Sequence, residues 1–264
     1  MSDKYLAGEP GDACCRGVQH SGEPRGKIEN IAGVETYIAE PPQGQKSKGV
    51  ILFYADVWGS MFINNKLIQD FFASQGFTVV GIDYFFGDPV YIHNGEEGFD
   101  RPAWMAKSKA QAREYGPGWF EAIKERYGYC FGAPFVLEAA ASGKIVAGKV
   151  ARIRSILLNL TEETSAHSFT GAVAHPAFLT ETHFQDVKAP LMLSCSEIDH
   201  TFPLEFRRRA EDILVEKKHD YFFQVFGGVE HGFAVRGDPN IPIQRWAKEE
   251  SARGIIAWFD RFSK

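Results

Sequence analysis

The apolar residues of this chain fall into short unbroken runs separated by stretches of helical spacing. Residues 49–54, GVILFY, and 78–82, TVVGI, are continuous apolar runs of the kind that form strands buried on both faces. Between them, residues 63–75 space their apolar positions as a helix does, and Gly76 ends that helix, so the three pieces make a βαβ unit. Earlier, residues 35–39 are β-branched and aromatic and run into Pro41 and Pro42, which predicts an antiparallel strand. Runs at 171–174, 191–195 and 221–225 each lead into a polar loop, and 243–262 carries the pattern of a final amphipathic helix. Alternation at these lengths predicts an α/β fold with a mostly parallel sheet flanked by helices on both faces.

Between these regular pieces the pattern breaks down. Residues 83–119 set Tyr84, Phe85, Phe86, Tyr91, Phe99, Trp104 and Tyr115 among Gly and Pro, which reads as an irregular aromatic stretch capping a pocket. A helix is expected around 119–125 and another over 133–142. Residues 1–30, rich in Gly, Pro and small polar groups, read as an irregular N-terminal arm, and 31–264 as a single domain.

Composition narrows the field. A chain of 264 residues is within the range of one core, and 44% apolar with 24% charged residues is an ordinary globular balance. Lys and Arg total 29 against 34 Asp and Glu, for a net charge of -5, and the basic residues are scattered; nucleic acid is excluded as the expected partner. No apolar run approaches the roughly 18 residues of a membrane helix, and the first residues lack the apolar core of a signal peptide, so a cytoplasmic protein without a membrane partner is expected. Cys14, Cys15, Cys130 and Cys195 form no metal-ligand array in sequence, so no metal is expected and the thiols of Cys14 and Cys15 are read as free. Oligomeric state is not encoded in any of these patterns.

The sharpest chemical signal is Gly128-Tyr129-Cys130-Phe131-Gly132, a GxCxG form of the GxSxG nucleophile elbow. The strained turn needs glycines two positions either side of the nucleophile, and the helix after it favours a thiolate. Alone the pattern is weak, because buried cysteines are mostly inert small hydrophobes. Chain order strengthens it: Asp199 follows one buried strand and His231 the next, the nucleophile–acid–base order of α/β-hydrolases at the strand ends where ligands bind. His175 and His200 also sit at strand ends, where local hydrogen bonds can satisfy them.

These motifs resemble the dienelactone hydrolase family over nearly the whole length. The matching pieces are Asp56-Val57-Trp58-Gly59, Asp83, Gly87-Asp88-Pro89, the Cys130 elbow, Asp199-His200-Thr201-Phe202-Pro203, and His231 through Gly237. The Cys14-Cys15 arm and Gly26-Lys27 resemble its fungal branch. The resemblance implies an α/β-hydrolase fold and a Cys130 nucleophile that attacks a lactone or ester carbonyl. It implies His231 as base, Asp199 as orienting acid, and backbone N–H groups of Val57 and Phe131 as the oxyanion hole. By position, Asp56 would pair with the resting cysteine, Trp58 would line the site and Arg236 would meet a substrate carboxylate. Neither metal nor organic cofactor is implied.

Two segments depart from the family pattern. Residues 122–127 offer almost no strand ahead of the elbow, and residues 149–170 are surplus. Either residues 154–160 supply an extra strand or helix, or the chain joins wrongly bounded coding segments. A sheet lacking its middle strand would favour a non-catalytic binding or scaffold protein. A thiol redox protein is the third alternative, weakened by the absence of a CxxC pair.

Overall fold

A computed structural model describes residues 4–8, 11, 14, 16–127, 156–160, 169–187 and 189–263. Strands β1 (Lys27–Ile31) and β2 (Val34–Ala39) form a hairpin that opens before residue 31, the boundary drawn from composition. Its two-residue turn places Ala32 at φ +50° and Gly33 at φ +84°, the left-handed pair that matches the twist of the strands, and Asn30 accepts the Gly33 amide. Strand β3 (Val50–Tyr54), helix α1 (Ile63–Ser74) and β4 (Thr78–Ile82) are the expected βαβ unit, with β3 and β4 parallel.

The remaining strands are β5 (Ile156–Leu160), β6 (Phe169–Ala174), β7 (Leu191–Ile198) and β8 (Tyr221–Glu230). The eight strands among the described residues join one sheet in the order β1-β2-β4-β3-β5-β6-β7-β8. The pairings leave β2 and β5 antiparallel to both neighbours, and the other six strands share one direction. Loops after β3, β4, β6, β7 and β8 therefore emerge at one edge of the sheet, and that edge collects the polar residues singled out above.

Both faces are covered. Alternate residues of β3 divide between them, Val50, Leu52 and Tyr54 packing with one cluster, Ile51 and Phe53 with the other. The first face takes helix α2 (Arg101–Tyr127) through Trp104, Ala112, Trp119, Phe120 and Ile123. The second takes α1 and the C-terminal helix α6 (Pro242–Phe262) through Phe72, Ile255, Ile256 and Phe259. Helices α3 (Glu181–Asp186) and α4 (Leu204–Glu216) close the part of the sheet holding Val173, Leu193 and Cys195, and the single turn α5 (Phe233–Arg236) packs against α6.

Helix α2 corrects the expected irregular stretch, which ends by residue 100. Gly116-Pro117-Gly118 reads locally as a breaker, but buried Trp104, Ser108, Ala112, Trp119 and Ile123 recur at helical spacing on both sides of it. Tertiary packing outweighs the roughly 3 kcal/mol that an interior proline costs a helix.

The centre of the sheet also differs from expectation. Its middle place is filled, by β5, which comes from the surplus segment and runs antiparallel to β3 and β6. The elbow at 128–132 and the helix expected over 133–142 lie outside the described residues. No helix among the described residues is long and apolar enough to cross a membrane.

Candidate active site

The strands β7 and β8 position an acid beside a base. Ser196 pairs with Phe226 and Ile198 with Glu230, so β8 spends four steps where β7 spends two, around Gly228 at φ +71°. Such a bulge re-aims the residues just beyond it. The His231 amide donates to the Ile198 carbonyl at 3.0 Å, and His231 Nδ1 comes to 2.8 Å from Asp199 Oδ1. Both side chains are buried.

Asp199 is held by its own turn. Its Oδ1 accepts the amides of Thr201 (2.9 Å) and Phe202 (3.0 Å), and Oδ2 accepts the Ser196 hydroxyl at 3.1 Å. The Thr201 hydroxyl lies 2.8 Å from Asp199 Oδ1, 2.7 Å from the Pro176 carbonyl and 2.9 Å from His231 Nδ1. One hydroxyl proton cannot serve both Pro176 and Asp199; donated to Pro176, it leaves the oxygen to share the His231 Nδ1 proton. Burial alone would raise the Asp199 carboxyl, but the His231 hydrogen bond and charge, with the Thr201 hydroxyl and amide, hold it far below the usual carboxylate range.

His231 is packed between two other imidazoles. His175 meets it edge-on at 5.1 Å between centroids and His200 at 5.0 Å. His175 is fully buried, with φ +38° and its amide donating to Ser194, so a strained backbone holds the ring against the candidate base. His200 is exposed. Ligand atoms of Asp199, His200 and His231 lie within 4.8 Å of one another, the spacing of groups that could hold a metal ion.

The loop after β3 brings a second charged pair. Asp56 accepts the Trp58 amide at 3.0 Å through Oδ1, and its Oδ2 is ion-paired with Arg236 Nη1; both side chains are almost completely buried. The Arg236 guanidinium lies 5.6 Å from the Trp58 ring, and Nε donates to the Arg16 carbonyl at 3.0 Å. Trp58 in turn stacks on Tyr91 at 5.6 Å and tilts against Phe62 at 4.6 Å. Gly232, at φ +92°, is required here, because a Cβ would lie 2.1 Å from Arg236 Nη2.

The N-terminal arm lies across these groups. Trp58 Nε1 donates to the Cys14 carbonyl at 2.9 Å, and Cys14 Sγ lies 3.3 Å from His200 Nε2. His20 accepts a hydrogen bond from Lys248 at Nδ1, donates from Nε2 to the Gly237 carbonyl, and gives its amide to Asn64.

The structure thus brings Asp199 to His231 and Asp56 to Arg236, with Trp58 beside the latter and Val57 buried in the same loop. Cys130 and Phe131 lie outside the described residues. Sequence reasoning missed Ser196 and Thr201 as Asp199 partners; the Asp199-x-Thr201 spacing, an Asx turn, was the available signal. It also missed Cys14 beside His200, which no local pattern announces. Cys195 is buried among apolar groups that push its thiol well above the usual range, so it is inert.

A sheet in this strand order, with an acid and a base on the loops after its last two strands, defines an α/β-hydrolase. The dienelactone hydrolase family profile matches residues 34–263, and the chain belongs to that family. It is 36% identical to Dienlactone hydrolase 1 of Gibberella moniliformis (strain M3125 / FGSC 7600) over 98% of this chain and 97% of that protein. Identity to Dienlactone hydrolase 2 of the same fungus is 30%, with the same coverage. In fold it is similar to a dienelactone hydrolase-like promiscuous phosphotriesterase from metagenomic libraries, with a TM-score of 0.56 and 16% identity over 90% of this chain and 97% of that one.

Proposed function

We propose that this chain hydrolyses a lactone or small carboxylic ester through a Cys130–His231–Asp199 triad, without metal or organic cofactor. The observation that carries the reading is the buried Asp199–His231 hydrogen bond at the strand edge, which holds the imidazole with Nδ1 protonated and Nε2 available as a base. In this reading Cys130 attacks the carbonyl carbon as a thiolate, and the oxyanion forms against the backbone N–H groups of Val57 and Phe131. His231 returns the proton to the leaving alkoxide, which for a lactone stays attached as the freed hydroxyl. Water activated by His231 then cleaves the thioester and releases the acid.

Asp56 and Arg236 fit a site for an anionic substrate. A substrate carboxylate that engages Arg236 takes over the partner of Asp56, and the freed Asp56 carboxylate then orients the Cys130 thiol while His231 Nε2 takes its proton. Residues 27–264 act as one domain in this scheme, with the residues before Lys27 as an arm over the site.

One observation favours a second reading, a family member that binds small molecules without turning them over. Tyr127, the last described residue before Cys130, ends a helix tied to β1 by the Arg126–Glu29 ion pair, and β1 is the sheet edge farthest from β8. Hydrolysis of p-nitrophenyl acetate and a dienelactone, with mass spectrometry of the acylated protein, separates the two. The first reading expects a label on Cys130 and loss of turnover in Cys130→Ala. Turnover that survives Cys130→Ala removes the nucleophile assignment, and a folded protein with neither label nor turnover selects the second reading.

A further inference from the structure

The two outer strands of the sheet carry opposite kinds of side chain. Strand β1 holds Lys27 and Glu29, ion-paired to each other, and Glu29 also pairs with Arg126; charges of this kind keep an edge from pairing with another chain. Strand β8, at the far edge, reads YFFQVFGGVE and has no outer neighbour among the described residues. Its Phe222 and Val225 are 42% and 46% exposed, and beside it on α6 Ile243 and Trp246 are 42% and 51% exposed. An apolar rim along an unpaired strand is the mark of an interaction surface.

The backbone limits what this edge accepts. Leu191 pairs with Tyr221 and its amide donates to the Asp220 carbonyl, so the even residues of β8 bond to β7, while Tyr221, Phe223 and Val225 turn their own N–H and C=O groups outward. We propose that a second copy of this chain pairs there, β8 against β8, antiparallel about a two-fold axis at Gln224, so that one sheet runs through both copies. In this register the outward groups of Phe223 meet those of Val225 in the second copy, as a hydrogen-bonded pair requires. Phe222 and Phe226 share the face toward α6, packing on Trp258 and Trp246. Phe222 comes opposite Phe226 of the second copy and covers the rim that Trp246 leaves exposed. Tyr221 comes opposite Gly227, which has no side chain to obstruct it. Past the strand ends Lys218 opposes Glu230; both are exposed, neither is ion-paired among the described residues, and the two-fold axis makes the contact twice. Such a contact is closed, because each chain spends its apolar edge once. It does not depend on the hydrolase reading.

Sedimentation velocity of the full chain, from about 1 to about 100 µM, tests the pairing, and a dimer is expected to form within that range. Val225→Lys sets an ammonium where the second strand lies, at a position exposed in the single chain, so circular dichroism stays unchanged while the dimer weakens about 100-fold or more. Trp246→Glu, on the helix and off the strand, weakens it about tenfold. Glu230→Lys weakens it several-fold, and adding Lys218→Glu restores it, because the exchanged charges again oppose each other. A wild-type chain that stays monomeric at about 100 µM, a dimer that both Val225→Lys and Trp246→Glu leave intact, or oligomers that keep growing with concentration overturns the proposal. A double charge exchange that fails to restore the dimer overturns the register at Gln224.

Discussion

Replacing Asp199 with Asn tests whether the carboxylate acts through its charge. The amide can be accommodated: its oxygen takes the Oδ1 place, facing His231 Nδ1 and the amides of Thr201 and Phe202, and its NH₂ takes the Oδ2 place and donates to Ser196 Oγ. The hydrogen-bond count survives, and with it the His231 tautomer. The loss is confined to the negative charge beside the imidazolium that forms when His231 takes a proton.

With charge centres about 4 Å apart and an effective dielectric constant near 20, that interaction is worth about 4 kcal/mol. At about 1.4 kcal/mol per factor of ten, Asp199→Asn should lower kcat/KM for p-nitrophenyl acetate about 10³-fold. The unfolding midpoint should move little, because the buried polar groups stay paired. Steady-state kinetics with a urea melt on the same preparation makes the measurement. A loss smaller than about tenfold, with the fold intact, would refute the electrostatic role and reduce Asp199 to a turn residue.

Gly232→Ala forces a side chain into a left-handed backbone and onto Arg236 Nη2, so it should destabilise the protein by at least about 2 kcal/mol in denaturant unfolding. Asp56→Ala leaves the Arg236 cation buried and should cost about 3–5 kcal/mol, nearer the low end because Arg16 and the Trp58 ring still face the guanidinium; Arg236→Met in the same chain should recover most of it. For His20, burial first and the Lys248 charge second push the imidazole below its usual pKa, against the Gly237 carbonyl and Asp238. A folded-state pKa below the unfolded one means that this stabilisation is complete above about pH 6.5 and fades as pH falls through the folded value. Protection factors for amide exchange over residues 16–20, corrected for the intrinsic rate at each pH, should therefore fall below about pH 6, and His20→Phe should remove that dependence.

How much could be read ahead of the structure depended on where the information resides. Residues 50–54 and 78–82 announce buried strands because nearly every position is apolar, and both form where expected. Asp199 and His231 could be singled out together because each follows such a run, and the structure sets them 2.8 Å apart. Helix α2 was not, because Gly116-Pro117-Gly118 dominates any local reading while the packing of Trp104 and Trp119 on the sheet does not appear in a short window. The Arg236–Asp56 pair joins residues 180 positions apart, and the Cys14–His200 contact joins residues 186 apart. Contacts of that range are set by topology, which spacing in sequence does not express.

The reversed central strand follows from the same physics. A central position asks for a mostly apolar segment of about five residues and for backbone groups that pair on both sides; ILLNL at 156–160 is apolar at all positions but Asn159 and pairs with β3 and β6. Antiparallel ladders are at least as stable per residue as parallel ones, so nothing in the pairing rejects a strand of opposite sense between β3 and β6. Direction matters for what the strand delivers. Ile156 pairs with Tyr54 and Leu160 with Val50, so β5 starts at the edge that holds Asp199 and His231 and ends at the opposite one. A nucleophile elbow follows the end of a strand at the catalytic edge. The sheet can therefore be complete while the delivery of Cys130 is decided elsewhere in the chain, so stability and acylation are separate measurements in this protein.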